Sequence, residues 1–86
     1  MRYRIELAKE PKKFLEALRD AKLARRFSRT IESLAENPRP AGCLKLQGND
    51  ELHRVRVGDY RIIYQIRDAV LIVLVAEIGH RGDIYR

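Results

Sequence analysis

Tryptophan is absent from this sequence, methionine and cysteine occur once each, and no apolar run is long. Each shortage excludes a class of protein. The longest apolar stretch, Val70 to Ala76, falls far short of the roughly 20 residues that a transmembrane helix needs. A lone cysteine, Cys43, rules out an internal disulfide and suits a reducing cytosol, so a cytoplasmic location is expected. No Cys/His cluster has metal-ligand spacing and no glycine-rich loop is built to cradle a phosphate, so neither a metal nor a cofactor is expected. The opening Met-Arg-Tyr-Arg-Ile-Glu lacks the apolar stretch of a secretion signal. Internal repeats, linkers and low-complexity segments are also missing.

What is present is an ordinary globular composition, with 45% apolar and 35% charged residues. The 86 residues suffice for one domain, spanning 1–86, around a single core. A net charge of +6, from 18 basic and 12 acidic side chains, favours an acidic partner such as nucleic acid. Residues 1–40 hold 11 basic and 6 acidic side chains, against 7 and 6 in residues 41–86. Solvated helix faces account for the excess in the first half. Placement, not number, makes the second half informative.

Arg2 to Leu7 alternates polar and apolar, predicting a strand with Tyr3, Ile5 and Leu7 inward. Pro11 suits the first turn of a helix, and Phe14, Leu15 and Leu18 continue its apolar stripe to about Arg19. Leu23, Phe27, Ile31 and Leu34 predict a second helix that stops before Asn37-Pro38-Arg39-Pro40. Helices joined so closely form an antiparallel hairpin. Its outer surface carries Lys12, Lys13, Lys22, Arg25, Arg26 and Arg29. Cys43 to Gln47 is a short strand candidate, ended by the turn residues Gly48-Asn49-Asp50. Val70 to Ile78 is apolar at nearly every position, which predicts an interior strand buried on both faces. Gly79 to Asp83 reads as a polar loop. The order β-α-α-β-β-β implies an α+β fold, with the helical pair on one face of a small, mainly antiparallel sheet. The other face stays partly open.

The most informative stretch is His53 to Arg61, where Gly58-Asp59 between alternating runs signals a two-residue hairpin loop. Val57 then faces Tyr60, Arg56 faces Arg61, Val55 faces Ile62 and Arg54 faces Ile63. By alternation, Val55, Val57, Tyr60, Ile62 and Tyr64 share one side. Arg54, Arg56 and Arg61 share the other. Like charges directly opposed destabilise a strand pair, and nothing acidic in the stretch offsets them on that side. Alternating charge is also what the wet side of a sheet carries. The lack of acidic partners on the same strands favours a bound anion, the phosphate backbone of a nucleic acid.

Other residues have plainer readings. His53 falls on the apolar side as a core-edge histidine, Cys43 acts as a small apolar group, and Asp59 and Asp68 are turn residues. His80 and Arg81 lie beside Gly79 and Gly82, in a loop at a strand end where functional groups often sit. Tyr85 either packs the terminus or stacks on an unpaired base.

Taken together, Lys45-Leu46-Gln47-Gly48, Arg54 to Tyr64, Gly79-His80-Arg81 and Ile84-Tyr85 resemble the RelE/ParE superfamily of toxins from toxin–antitoxin pairs. The resemblance extends over essentially the whole chain and implies a small sheet with a helical pair on one side. Its RelE branch implies a ribosome-dependent mRNA endonuclease acting in the A site. There the RNA 2′-OH attacks the adjacent phosphate, without a metal. The partners implied are a RelB-like antitoxin, the ribosome and mRNA. The catalytic positions of that branch fall on Arg54, Arg56, Arg61, Arg81 and Tyr85. The ParE branch instead inhibits DNA gyrase and generally lacks the full set.

Two departures shape the expectations. The best-known RelE enzymes have lysines where this chain has Arg54 and Arg56, and arginine is almost never deprotonated. His80, beside Arg81, is therefore expected to serve as the base. Relatives also commonly carry a short helix after the tyrosine, where this sequence stops at Arg86. That difference would leave an apolar groove beside Val70 to Ile78 for an antitoxin segment. Lys45, Lys13, Arg25 and Arg29 are expected to grip RNA by charge.

Overall fold

A computed structural model describes residues 2–46 and 52–80. The chain forms β1 (Arg4–Leu7), α1 (Lys9–Ala17), α2 (Ala21–Glu36), β2 (Leu44–Lys45), β3 (Leu52–Val57), β4 (Tyr60–Arg67) and β5 (Ile72–His80). Among the described residues four strands follow the helices. The additional one is the short candidate after Asn37-Pro38, reduced to Leu44–Lys45. The sheet order is β1-β5-β4-β3-β2, with β1 parallel to β5 and every other pair antiparallel.

Local chemistry sets the helix limits. Asp20 caps α2, its carboxylate accepting from the amides of Lys22 and Leu23 at 3.0 and 3.1 Å. Asn37 closes the helix with an extended backbone, as the following Pro38 requires. α2 buries Phe27, Ile31, Leu34 and Ala35. These pack with Val57, Ile62, Tyr64, Ile66, Val73 and Val75 of the sheet. Phe14, Phe27 and Tyr60 then join both helices to the hairpin, with ring centroids 5.5–5.6 Å apart. Lys12, Lys13, Lys22, Arg25, Arg26 and Arg29 are all exposed.

The hairpin register is the one expected: Val57 with Tyr60, Arg56 with Arg61, Val55 with Ile62 and Arg54 with Ile63. Gly58 supplies the turn's positive φ of 59°. His53 is buried and stacks on Tyr64.

Two expectations need correction at β5. It is interior to the sheet, but only the side carrying Val73 and Val75 is fully buried. Ile72, Leu74 and Ala76 on the other side are half-buried. The strand also continues through Gly79 and His80, which were expected in a loop. Between Ile63 and Tyr64 the ladder shifts, Ile63 pairing with Glu77 and Tyr64 with Val75. Ala76 is therefore an extra residue, a β-bulge that reverses the alternation beyond it. Ile78 lands on the core side opposite Ile62, and Glu77 points to the open side. The same reversal sends His80 towards the helices.

Candidate RNA-cleavage site

On the side of the sheet away from the helices, Arg54 and Arg56 project from β3 and Arg61 from β4. With Gly42 and Leu44 they line a groove of about 200 Å³. That is several times the ~30 Å³ a water molecule occupies in the liquid, and enough for a phosphate group. Leu44 is paired with Arg54 and forms one wall, largely exposed at 53%. Gly79 lies opposite Arg61 on β5 and puts no side chain over it.

The arginines differ in environment. Arg61 is only 8% exposed, and its Nη1 donates to the Tyr60 carbonyl at 3.3 Å. Arg56 is exposed, and its Nε donates to the Gly58 carbonyl at 3.2 Å. Carbonyl partners aim a guanidinium without cancelling its charge. Arg56 and Arg61, directly opposed across the hairpin, bring two guanidinium groups to one groove, which makes it a candidate site for an anion.

The remaining candidates are placed elsewhere. His80 is paired with Tyr60 and meets its ring edge-on at 5.2 Å, on the helix side. The structure does not bring His80 to the arginines, because the bulge turned it over. Lys45 is paired with His53 and so also alternates away from the groove. Lys13 on α1 and Arg25 and Arg29 on α2 are all exposed. Arg81 and Tyr85 lie outside the described residues, as do the Gly48-Asn49-Asp50 turn and Ile84.

Sequence reasoning missed Gly42 and Leu44 as groove residues, and it missed a second polar cluster. Asp68 accepts from Tyr3 Oη at 2.5 Å and from both Nη atoms of Arg39 at 2.8 and 3.3 Å. The Arg39 fork, followed by the Tyr3 hydroxyl, holds the Asp68 carboxyl down at about 2. The Tyr3 hydroxyl is raised above its ordinary value by its bond to Asp68. Nearby, the buried Tyr64 hydroxyl donates to the Pro38 carbonyl at 2.7 Å, and burial pushes its phenol well above the usual range. The positive φ of Gly42, 90°, marks the tight turn beside this cluster.

Residues 5–85 match the model of the ParE toxin of type II toxin–antitoxin systems, parDE. The chain belongs to the RelE/ParE toxin family. A Methanocaldococcus jannaschii protein bearing the name toxin RelE1 is 32% identical over 89 residues, covering 100% of this chain and 98% of its own length. The archaeal RelE–RelB complex from Pyrococcus horikoshii OT3 contains a chain with a TM-score of 0.82 and 32% identity, aligned over 96% of this chain and 99% of that one. The toxin–antitoxin complex RelBE of Escherichia coli shares the fold, with a TM-score of 0.78 at 22% identity over 93% of this chain and 98% of that one. Among the described residues of this type II toxin, the open side of the sheet brings three arginines to one groove.

Proposed function

We propose that this toxin is an mRNA endonuclease of the RelE kind, cutting in the ribosomal A site. The observation that carries the reading is the opposed pair Arg56 and Arg61 over a groove of about 200 Å³. The RNA 2′-OH loses its proton to solvent and attacks the adjacent phosphorus, the P–O5′ bond breaks and the leaving 5′-oxygen takes up a proton, giving a 2′,3′-cyclic phosphate and a 5′-hydroxyl. Negative charge builds on the non-bridging oxygens during this step. Arg61, held by burial and by its carbonyl bond, is set to stabilise that charge. Preorganised donors of this type commonly supply the largest part of catalysis. Arg54 and Arg56 hold the phosphate on either side. Arg81 and Tyr85 enter through the family resemblance alone, as a second oxyanion contact and a base-stacking group. Lys13, Arg25 and Arg29 supply non-specific contacts to ribosomal RNA, and Lys45 contacts RNA from the sheet edge.

The partner in the cell is a RelB-like antitoxin. Supporting this, Ile5, Leu7, Leu15 and Ile31 line a second, apolar groove of about 270 Å³ beside the edge strand β1, and Val70 is 60% exposed. Exposed apolar grooves beside a free strand edge invite an amphipathic segment.

The test adds purified toxin to a translation reaction and maps cuts in the mRNA, beside a gyrase supercoiling assay. Cuts confined to A-site codons support the reading. Intact mRNA with inhibited supercoiling transfers the function to gyrase, the target of the ParE branch.

A further inference from the structure

The connection between α2 and β2 forms the wall of the arginine groove, yet β2 itself is only two residues long. So short a strand has little ladder of its own: Leu44 pairs with Arg54, Lys45 with His53, and the Leu46 amide donates to the Leu52 carbonyl at 2.9 Å. What precedes β2 is tied down more firmly. The Asn37 side chain accepts from the Arg39 amide at 3.1 Å, and the Cys43 amide donates to the Pro40 carbonyl at 3.1 Å, closing a turn through Gly42. The Pro38 carbonyl is held by Tyr64 Oη from β4. Arg39 is held by Asp68, which follows β4, and Asp68 is held in turn by Tyr3, which precedes β1. Only Pro40 and Ala41 separate Arg39 from Gly42, at most about 11 Å of chain, so a shift at Arg39 reaches the groove wall.

We propose that Tyr3, Asp68 and Arg39 form a clasp that positions Gly42 and Leu44 against Arg54, Arg56 and Arg61, so that cleavage depends on three positioning residues that never touch the RNA. This inference rests on the proposed RNA-cleaving function of the groove. The clasp is exposed, with Arg39 and Asp68 side chains 50% and 54% accessible, and exposed ion pairs add little to global stability. Its value lies in order at one place. The bidentate Arg39–Asp68 geometry fixes direction as well as distance, which a lysine at the same position would not.

The experiment compares the full-length parent with Asp68→Asn, Arg39→Lys, Tyr3→Phe and the conservative Asp68→Glu. Single-turnover mRNA cleavage on ribosomes is measured alongside hydrogen exchange of the Leu46 amide. Asp68→Asn is expected to lower the rate at saturating ribosomes about tenfold with KM little changed, within the hundredfold that a misplacement of about 1 Å costs. The Leu46 amide is expected to exchange faster while core amides of β4 and β5 keep their protection. Arg39→Lys and Tyr3→Phe are expected to give smaller losses, and Asp68→Glu to recover part of the rate. Parental rate and exchange in Asp68→Asn overturn the clasp. So does uniformly faster exchange throughout the sheet, which marks a merely structural role. If the parent itself cuts no mRNA, the proposed function fails, and local Leu46 exchange still decides whether the clasp orders β2.

Discussion

Arginines at the two ends of β4 are treated in opposite ways. Beyond its last residue, Arg39 forks onto the Asp68 carboxylate, and Tyr3 completes the set. At its first turn, Arg61 opposes Arg56 across the hairpin, and their carbonyl bonds to Tyr60 and Gly58 orient both heads. One end spends its charge on a carboxylate of its own chain, which gives local order. The other end gathers Arg54, Arg56 and Arg61 along one groove. Arginines of one small protein thus serve two arrangements, a fork onto a carboxylate and a cluster along a groove.

Apart from substitutions at Arg61 itself, the largest expected effect is on cleavage. Arg56→Ala removes a charged hydrogen-bond donor, worth about 1.5–3 kcal/mol, so the cleavage rate is expected to fall roughly ten- to hundredfold. Because Arg56 is exposed, its melting temperature should correspond to a stability change within about 0.5 kcal/mol. A parental rate would leave Arg56 on an ordinary wet face. Next comes Tyr64→Phe, which strands the buried Pro38 carbonyl and is expected to cost about 1–3 kcal/mol in denaturant melts. No loss there would mean that the loop is held by something other than this bond.

The acid limb gives a smaller signal. Asp68 titrates lower in the fold, at about 2, than in the unfolded chain, near 3.8. Its stabilisation is therefore fully present above about pH 4 and is lost as pH falls towards 2. Melts of the parent and Asp68→Asn from pH 5 to pH 2 should converge over that window. Curves that stay parallel would show that the clasp carries no pH-linked stability. The smallest effect belongs to His80. Since it faces Tyr60, His80→Ala should forfeit an aromatic contact of about 0.5–1.5 kcal/mol and leave the pH profile of cleavage unchanged. A profile that loses a histidine-like limb would bring His80 back as the base.

Much of this was legible because it is local. Gly58-Asp59 fixed the hairpin, and the hairpin fixed which side Arg54, Arg56 and Arg61 share. The helical spacing of Leu23, Phe27, Ile31 and Leu34 and the proline after Asn37 delimited α2. The bulge at Ala76 was not legible, since an apolar run from Val70 gives no alternation for an extra residue to interrupt. His80, expected in a loop beside Arg81, instead lies in β5 and is turned to the helix side by that one residue. Tyr3, Arg39 and Asp68 stand far apart in sequence, and each has an adequate local explanation. Only the parallel pairing of β1 with β5 brings Tyr3 beside the turn at Asp68. The parts of the site drawn from Arg81 and Tyr85 lie outside the described residues.

The groove's role is tested most directly at Arg61, its buried member. Arg61→Gln removes the charge while keeping part of the buried stem, and antitoxin binding confirms that the variant is folded. Single-turnover cleavage of mRNA on programmed ribosomes is expected to slow by ~10²–10³, as for loss of an oxyanion donor. Cleavage at the parental rate by a folded Arg61→Gln protein would contradict an RNA-cleaving arginine groove.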